Sequence, residues 1–252
     1  MEDWLTYRLS DLLLFSPRTY YRTLELHNRA LWPAHLALLG AGTAVAVLAR
    51  RGTPWGSGAT TALLSACWLF VAWAYHLERY ATINWAARYF AAAFVLQALL
   101  MGWHGVARRR LRFAPSRGGA DRLAFGVVLF ALFVEPLIGP LVGRRGWTQL
   151  ETFGAAPDPT VIATLGVLAM ATPRTPRHLL VIPIGWCAVS GATLWAMGQP
   201  DALVVPIAGL VVAWLALRHR SGGRARLTSP PPSAPPPAPL SPRRGRSSSG
   251  SR

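Results

Sequence analysis

The chain has 252 residues, 52% of them hydrophobic and 14% charged, and its formal charge is +16. The apolar residues come in blocks long enough to cross about 30 Å of hydrocarbon, which takes roughly 17–25 residues. They do not follow the amphipathic period of a soluble helix, so a soluble globular fold is excluded. All 26 basic residues are Arg. They sit in loops and in the tail, as loop charge does in a membrane protein, so nucleic acid is not expected as a partner. Anionic lipid headgroups are the partner such charge meets.

Residues 1–29 read as an amphipathic segment lying at the membrane interface or folded over the bundle as a polar lid. Trp4, Leu5, Leu9, Leu12 and Leu13 recur near helical spacing. Ser16-Pro17 then restarts the chain as N-cap and first helical residue. Tyr20, Leu24 and Leu31 mark one face of the helix that follows, and Arg18, Arg22, Glu25 and Arg29 the other. Glu2 and Asp3 stand where a signal peptide carries basic residues, so no cleavable signal is expected.

Seven apolar runs follow over residues 30–217, at about 30–49, 59–77, 86–106, 123–142, 159–172, 178–197 and 200–217. The predicted fold is therefore an all-α polytopic membrane protein of about seven transmembrane helices. The fifth run is short enough to be re-entrant, although Asp158-Pro159 is a helix-start signal. Residues 218–252, with their Pro, Ser and Arg, are expected to form a disordered tail. Cys67 and Cys187 lie inside apolar runs without a CxxC or a His at ligand spacing, so no disulfide framework, metal site or cofactor is expected.

Arginine placement sets the orientation. Arg50, Arg51, the arginines between 108 and 122, Arg174, Arg177 and those following the last run share one side. The positive-inside rule makes that side cytoplasmic, with the N-terminus outside and the C-terminus inside. On this topology Glu2, Asp3, Asp11, Glu25, Glu78, Glu151, Asp158 and Asp201 face outward, with Asp158 and Asp201 read as helix-start caps. Asp121 faces inward.

Glu135 lies within the fourth run, before Pro136 and Pro140. A carboxylate at that depth is costly unless paired, protonated or wetted, so it faces the bundle interior. Prolines there free the backbone carbonyls of Leu132 and Pro136, which together with the acid could hold a cation or proton. A structural Glu bonded to a neighbouring helix is the competing reading.

The turn between the second and third runs carries His76, Glu78, Arg79 and Asn84, expected to cluster by hydrogen bonds. Tyr75, Tyr80, Trp85 and Tyr89 read as an aromatic belt. His35, Ser190 and Thr193 lie at similar depth. The candidate ligand-binding residues are therefore His76, Glu78, Arg79, Asn84, Glu135 and Ser190, lining a polar pocket open to the outside. No catalytic constellation is complete. Ala188-Val189-Ser190-Gly191 lacks the leading Gly and the later His of a rhomboid motif, and no helix carries two His at zinc-ligand spacing.

Three segments resemble an uncharacterised family of bacterial integral membrane proteins, catalogued as a domain of unknown function. They are Leu9-Ser10-Asp11-Leu12-Leu13-Leu14-Phe15-Ser16-Pro17-Arg18-Thr19-Tyr20-Tyr21, Glu78-Arg79-Tyr80-Ala81-Thr82-Ile83-Asn84-Trp85, and Ser190-Gly191-Ala192-Thr193-Leu194-Trp195-Ala196-Met197-Gly198. The likeness covers residues 3–217. It implies one membrane domain in the bacterial inner membrane and transfers no activity, substrate or functional residue. The reading is a protein that binds or moves a small solute, ion or lipid. A membrane-embedded enzyme acting on a lipid headgroup and a structural or assembly subunit are the alternatives.

Overall fold

A computed structural model describes residues 13–113, 118–142, 146–172 and 175–227, with side chains in the last helix as far as Leu215. The expected amphipathic stretch from Trp4 to Leu12 and the proline-rich tail from Pro230 lie outside these residues. The described chain is mainly helical, with connecting loops and turns and one two-residue strand pair. Four helices are long and apolar enough to cross a membrane, or five if a bent pair counts as one span, and two shorter helices are apolar.

Helix α1 (Pro17–Leu31) starts as its sequence dictates. Ser16 Oγ accepts from the Thr19 backbone N–H at 3.2 Å, and Pro17 occupies the first turn. Tyr20, Tyr21, Leu24 and His27 form its buried face. Glu25 pairs with Arg22 at 3.0 Å and Arg29 at 2.6 Å on the outer side. The chain then bends by 90° into α2 (Ala34–Arg51). Helix α1 therefore lies across the end of the bundle as a lid.

Helix α3 (Pro54–Phe70) is capped by Thr53, whose Oγ1 accepts from the Gly56 N–H at 3.0 Å, and it continues as a π-helical stretch, Val71–Leu77. A hairpin with a 3-10 turn at Tyr80–Thr82 leads into α4 (Ala87–Met101), which ends in a second π-helical stretch, Gly102–Ala107. After strand β1 (Arg112–Phe113) come α5 (Gly119–Leu129), a third π stretch (Phe130–Val134) and α6 (Glu135–Leu141). Pro136 sits in the first turn of α6, where its missing N–H costs least. The wide turn and the proline together divide the fourth apolar run at Glu135.

Helix α7 (Pro157–Ala169) has only 13 residues and is buried on every side. At 1.5 Å per residue it is about 20 Å long, shorter than a bilayer core. It packs against α3, α5, α8 and α9. Residues 146–156 reach it from the hairpin end as a loop with one 3-10 turn, Trp147–Gln149, and 151 and 153–156 are buried. At its other end, strand β2 (Ala171–Thr172) pairs antiparallel with β1, at the end of the bundle opposite the hairpin. Residues 146–172 therefore run from one end of the bundle to the other, part loop and part helix.

Buried irregular backbone needs partners, and α1 supplies several. His27 Nε2–H donates to the Ala155 carbonyl at 3.0 Å. Asn28 Nδ2 donates to the carbonyls of Thr148 and Leu150 at 3.0 and 2.8 Å. Gly154 turns the loop at φ 77°, a conformation open to glycine, and its N–H meets Thr160 Oγ1 at 2.8 Å.

Helices α8 (His178–Ala196) and α9 (Val204–Leu227) pack against each other and against α7. Helix α9 passes its expected end at Leu217 and reaches Leu227, because no proline interrupts the chain before Pro230.

A buried carboxylate cluster as candidate functional site

Glu135, Glu151 and Asp158 meet beneath α1. Each contributes a carboxylate oxygen, and the three oxygens lie within 4.8 Å of one another. The residues are 7%, 2% and 3% exposed, so solvent does little to shield their charge. Glu135 arrives from the break between the π stretch and α6, Glu151 from the buried loop, and Asp158 from the first turn of α7. In each case a discontinuity in the helical ladder brings the acid inward.

Asp158 is held from α8. Trp186 Nε1–H donates to Oδ1 at 2.7 Å and the Ser190 hydroxyl donates to Oδ2 at 2.6 Å. Its expected capping role is thus corrected: the α7 N-cap is Ala156, without a side-chain bond, and the Asp158 carboxylate bonds across to α8. Glu151 is held from α1, where the Tyr20 hydroxyl donates to Oε1 at 3.2 Å and the Tyr75 hydroxyl donates to that of Tyr20 at 3.3 Å. Asp201, 8% exposed, joins Glu135 and Asp158 around a void of about 10 Å³ closed by Ile138, Leu194, Val204 and Val205. That is the size of one water-sized sphere.

Of the six candidates read from the sequence, Glu135 and Ser190 come together here. The other four do not form the expected hydrogen-bonded cluster. His76 is fully buried with neither ring nitrogen hydrogen-bonded, among Tyr75, Tyr80, Phe90, Phe94 and Trp186. Glu78 is exposed and Arg79 half-buried. Asn84 Oδ1 accepts from the Ala86 N–H at 3.0 Å, and its side chain also bonds that of Tyr80. His76 and Glu78 stand two positions apart along a helical stretch, which points them to opposite sides, His76 inward and Glu78 outward. Tyr75 and Tyr80 likewise belong to the core, at 2% and 4% exposure, whereas Trp85 and Tyr89 remain on the surface. His35 bonds to Asn28 instead of entering the site.

An opening of about 360 Å³ lies beside the hairpin, with Phe15, Tyr80, Asn84, Trp85 and Thr193 among its walls. Glu135, Asp158 and Asp201, which line the small void, are not among those walls.

Sequence reasoning passed over Glu151 and Asp158 as members of a site. The available signal was the stretch Phe153-Gly154-Ala155-Ala156-Pro157 between them, small and apolar enough to be buried and so to carry both acids inward.

Three carboxylates this close in a buried site repel one another, and a proton or a cation beside them relieves that repulsion. The oxygen-only set suits hard cations such as calcium, magnesium or manganese. No curated protein and no solved structure matches the chain. The sequence profile of a family of unknown function, DUF6064, matches residues 18–226, and the chain belongs to that family.

Proposed function

We propose that the protein spans the bacterial inner membrane seven times and binds or moves a cation at Glu135, Glu151 and Asp158. The observation that carries this reading is the approach of the three buried carboxylate oxygens to within 4.8 Å. Its architecture supports it: broken helices and irregular buried backbone at membrane depth are how ion-handling membrane proteins expose ligating groups. The N-terminus and hairpin face outward, and the arginine-rich end faces the cytoplasm and anionic lipid. Tyr20 and Tyr75 form a hydroxyl chain from Glu151 into the aromatic core, and Ser190 and Trp186 fix Asp158.

The test is unfolding of the purified full chain in detergent, titrated with sodium, potassium, magnesium, calcium, manganese and zinc salts and with pH. A cation at a hundred times its dissociation constant stabilises the fold by about 2.7 kcal/mol. One cation, or the proton, is expected to stabilise the wild type and to lose that effect in Glu135→Gln while the helical circular dichroism is kept. No cation or pH effect, together with strong destabilisation by Glu135→Gln and Asp158→Asn, would leave the cluster as internal scaffolding.

A further inference from the structure

At the end of the bundle away from the carboxylates lies a second polar constellation, and it is basic. His178 opens α8, and His104 lies in the π stretch that ends α4; their Nε2 atoms are 2.9 Å apart. A neutral pair at that distance shares one proton between the two rings. Arg108 and Arg110 lie within electrostatic reach of His104.

The surrounding backbone holds this group in place. The N–H groups of Arg110 and Leu111 donate to the His104 carbonyl at 2.8 and 3.4 Å. The Arg108 guanidinium lies over the Trp103 ring, 4.7 Å from its centroid. Arg109 takes φ 48°, a left-handed conformation that costs a non-glycine residue energy and that the local packing must maintain.

A metal ion does not suit the pair. Among the described residues no third metal-ligating side chain joins the two imidazoles, and two guanidinium groups repel a cation. An anion suits it well. The first turn of α8 adds the positive end of its dipole, and Asp121 is the one acid among the described residues at this end.

We propose that His104, His178, Arg108 and Arg110 bind a phosphate-type anion, presented by a phosphomonoester lipid headgroup or as free phosphate. Guanidinium forks match phosphate oxygens two at a time, and the Nδ1–H of exposed His178, whose Nε2 then accepts from His104 Nε2–H, donates to a further oxygen. This inference shares only the membrane setting with the cation reading, and its probes and variants are different.

The test uses the full chain in detergent. One arm titrates phosphatidic acid, with phosphatidylcholine as the uncharged-net control, and a second arm titrates inorganic phosphate. Binding of phosphatidic acid alone assigns the anion to lipid, whereas binding of inorganic phosphate with the same sensitivity to substitution assigns it to the free ion. In either case Arg110→Gln and His178→Gln are expected to weaken binding about tenfold or more, and Arg88→Gln at the hairpin end to leave it unchanged. Arg110 is exposed, so its variant keeps the test valid should the His178 variant misfold. Absence of binding in both arms, or equal loss in Arg88→Gln, overturns the proposal.

Discussion

Ser190 donates its hydroxyl hydrogen to Asp158 Oδ2 at 2.6 Å, one helical turn beyond Trp186, which donates to the other oxygen. The i, i+4 spacing on α8 thus delivers two donors to one buried carboxylate. Hydrogen bonds to charged groups contribute about 1.5–3 kcal/mol each. Ser190→Ala is expected to lower the unfolding free energy by about that amount. Asp158→Ala should cost more, because it strands both donors. Denaturant unfolding in detergent measures the two, and equal values would show that the donors are satisfied elsewhere.

Asn28 reaches the carbonyls of both Thr148 and Leu150, tying α1 to the buried loop. Asn28→Ala removes both bonds and is expected to cost about 1–3 kcal/mol. Hydrogen exchange should rise in α1 and in residues 147–155 together, since each satisfies the other. Faster exchange in α1 alone would mean the loop holds its shape without the lid.

At Gly166, α7 comes close against the backbone of α5. A Cβ built there would stand 2.9 Å from the Ala124 carbonyl oxygen and 2.8 Å from Val128 Cγ2. Backbone cannot step aside as a flexible side chain does. Gly166→Val is expected to destabilise by about 1–3 kcal/mol or more. Gly126, with open space around its Cβ direction, is the control, and Gly126→Val should cost much less.

His76 presents the opposite case. Its ring nitrogens have no hydrogen-bond partner inside an aromatic box, and such a buried polar group costs about 1–3 kcal/mol. His76→Leu is therefore expected to stabilise the protein by up to about that amount. A large loss of stability would show that the imidazole is satisfied by an internal water.

The apolar runs were legible because burial in lipid and burial in protein both demand apolar side chains, and block length separates the two. The α1 start at Ser16-Pro17, the inward-facing Glu135 and the short helix after Asp158-Pro159 were legible for equally local reasons. The site itself was not. Its members stand on four separate stretches, and what joins them is helix packing, which leaves no periodicity in the chain. Asp158-Pro159 reads as a cap in one dimension, and only the arrival of Trp186 and Ser190 shows where its carboxylate points. His76 and Glu78 stand two positions apart, which on a helical stretch puts one in the core and leaves the other at the surface. Nothing in Val71–Leu77 announces its π-helical winding.

The segment from 146 to 172 also bears on how the protein is made. Its helical part is short and carries Asp158, and its loop brings Glu151 and many backbone polar groups with it. Such a segment has little affinity of its own for hydrocarbon. Its burial depends on Asn28, His27, Trp68 and Trp186 already standing in place to receive it. Trp186 is synthesised after it, on α8. The segment therefore settles only after later helices have emerged, and a nascent chain stopped before α8 should leave it accessible to aqueous labelling.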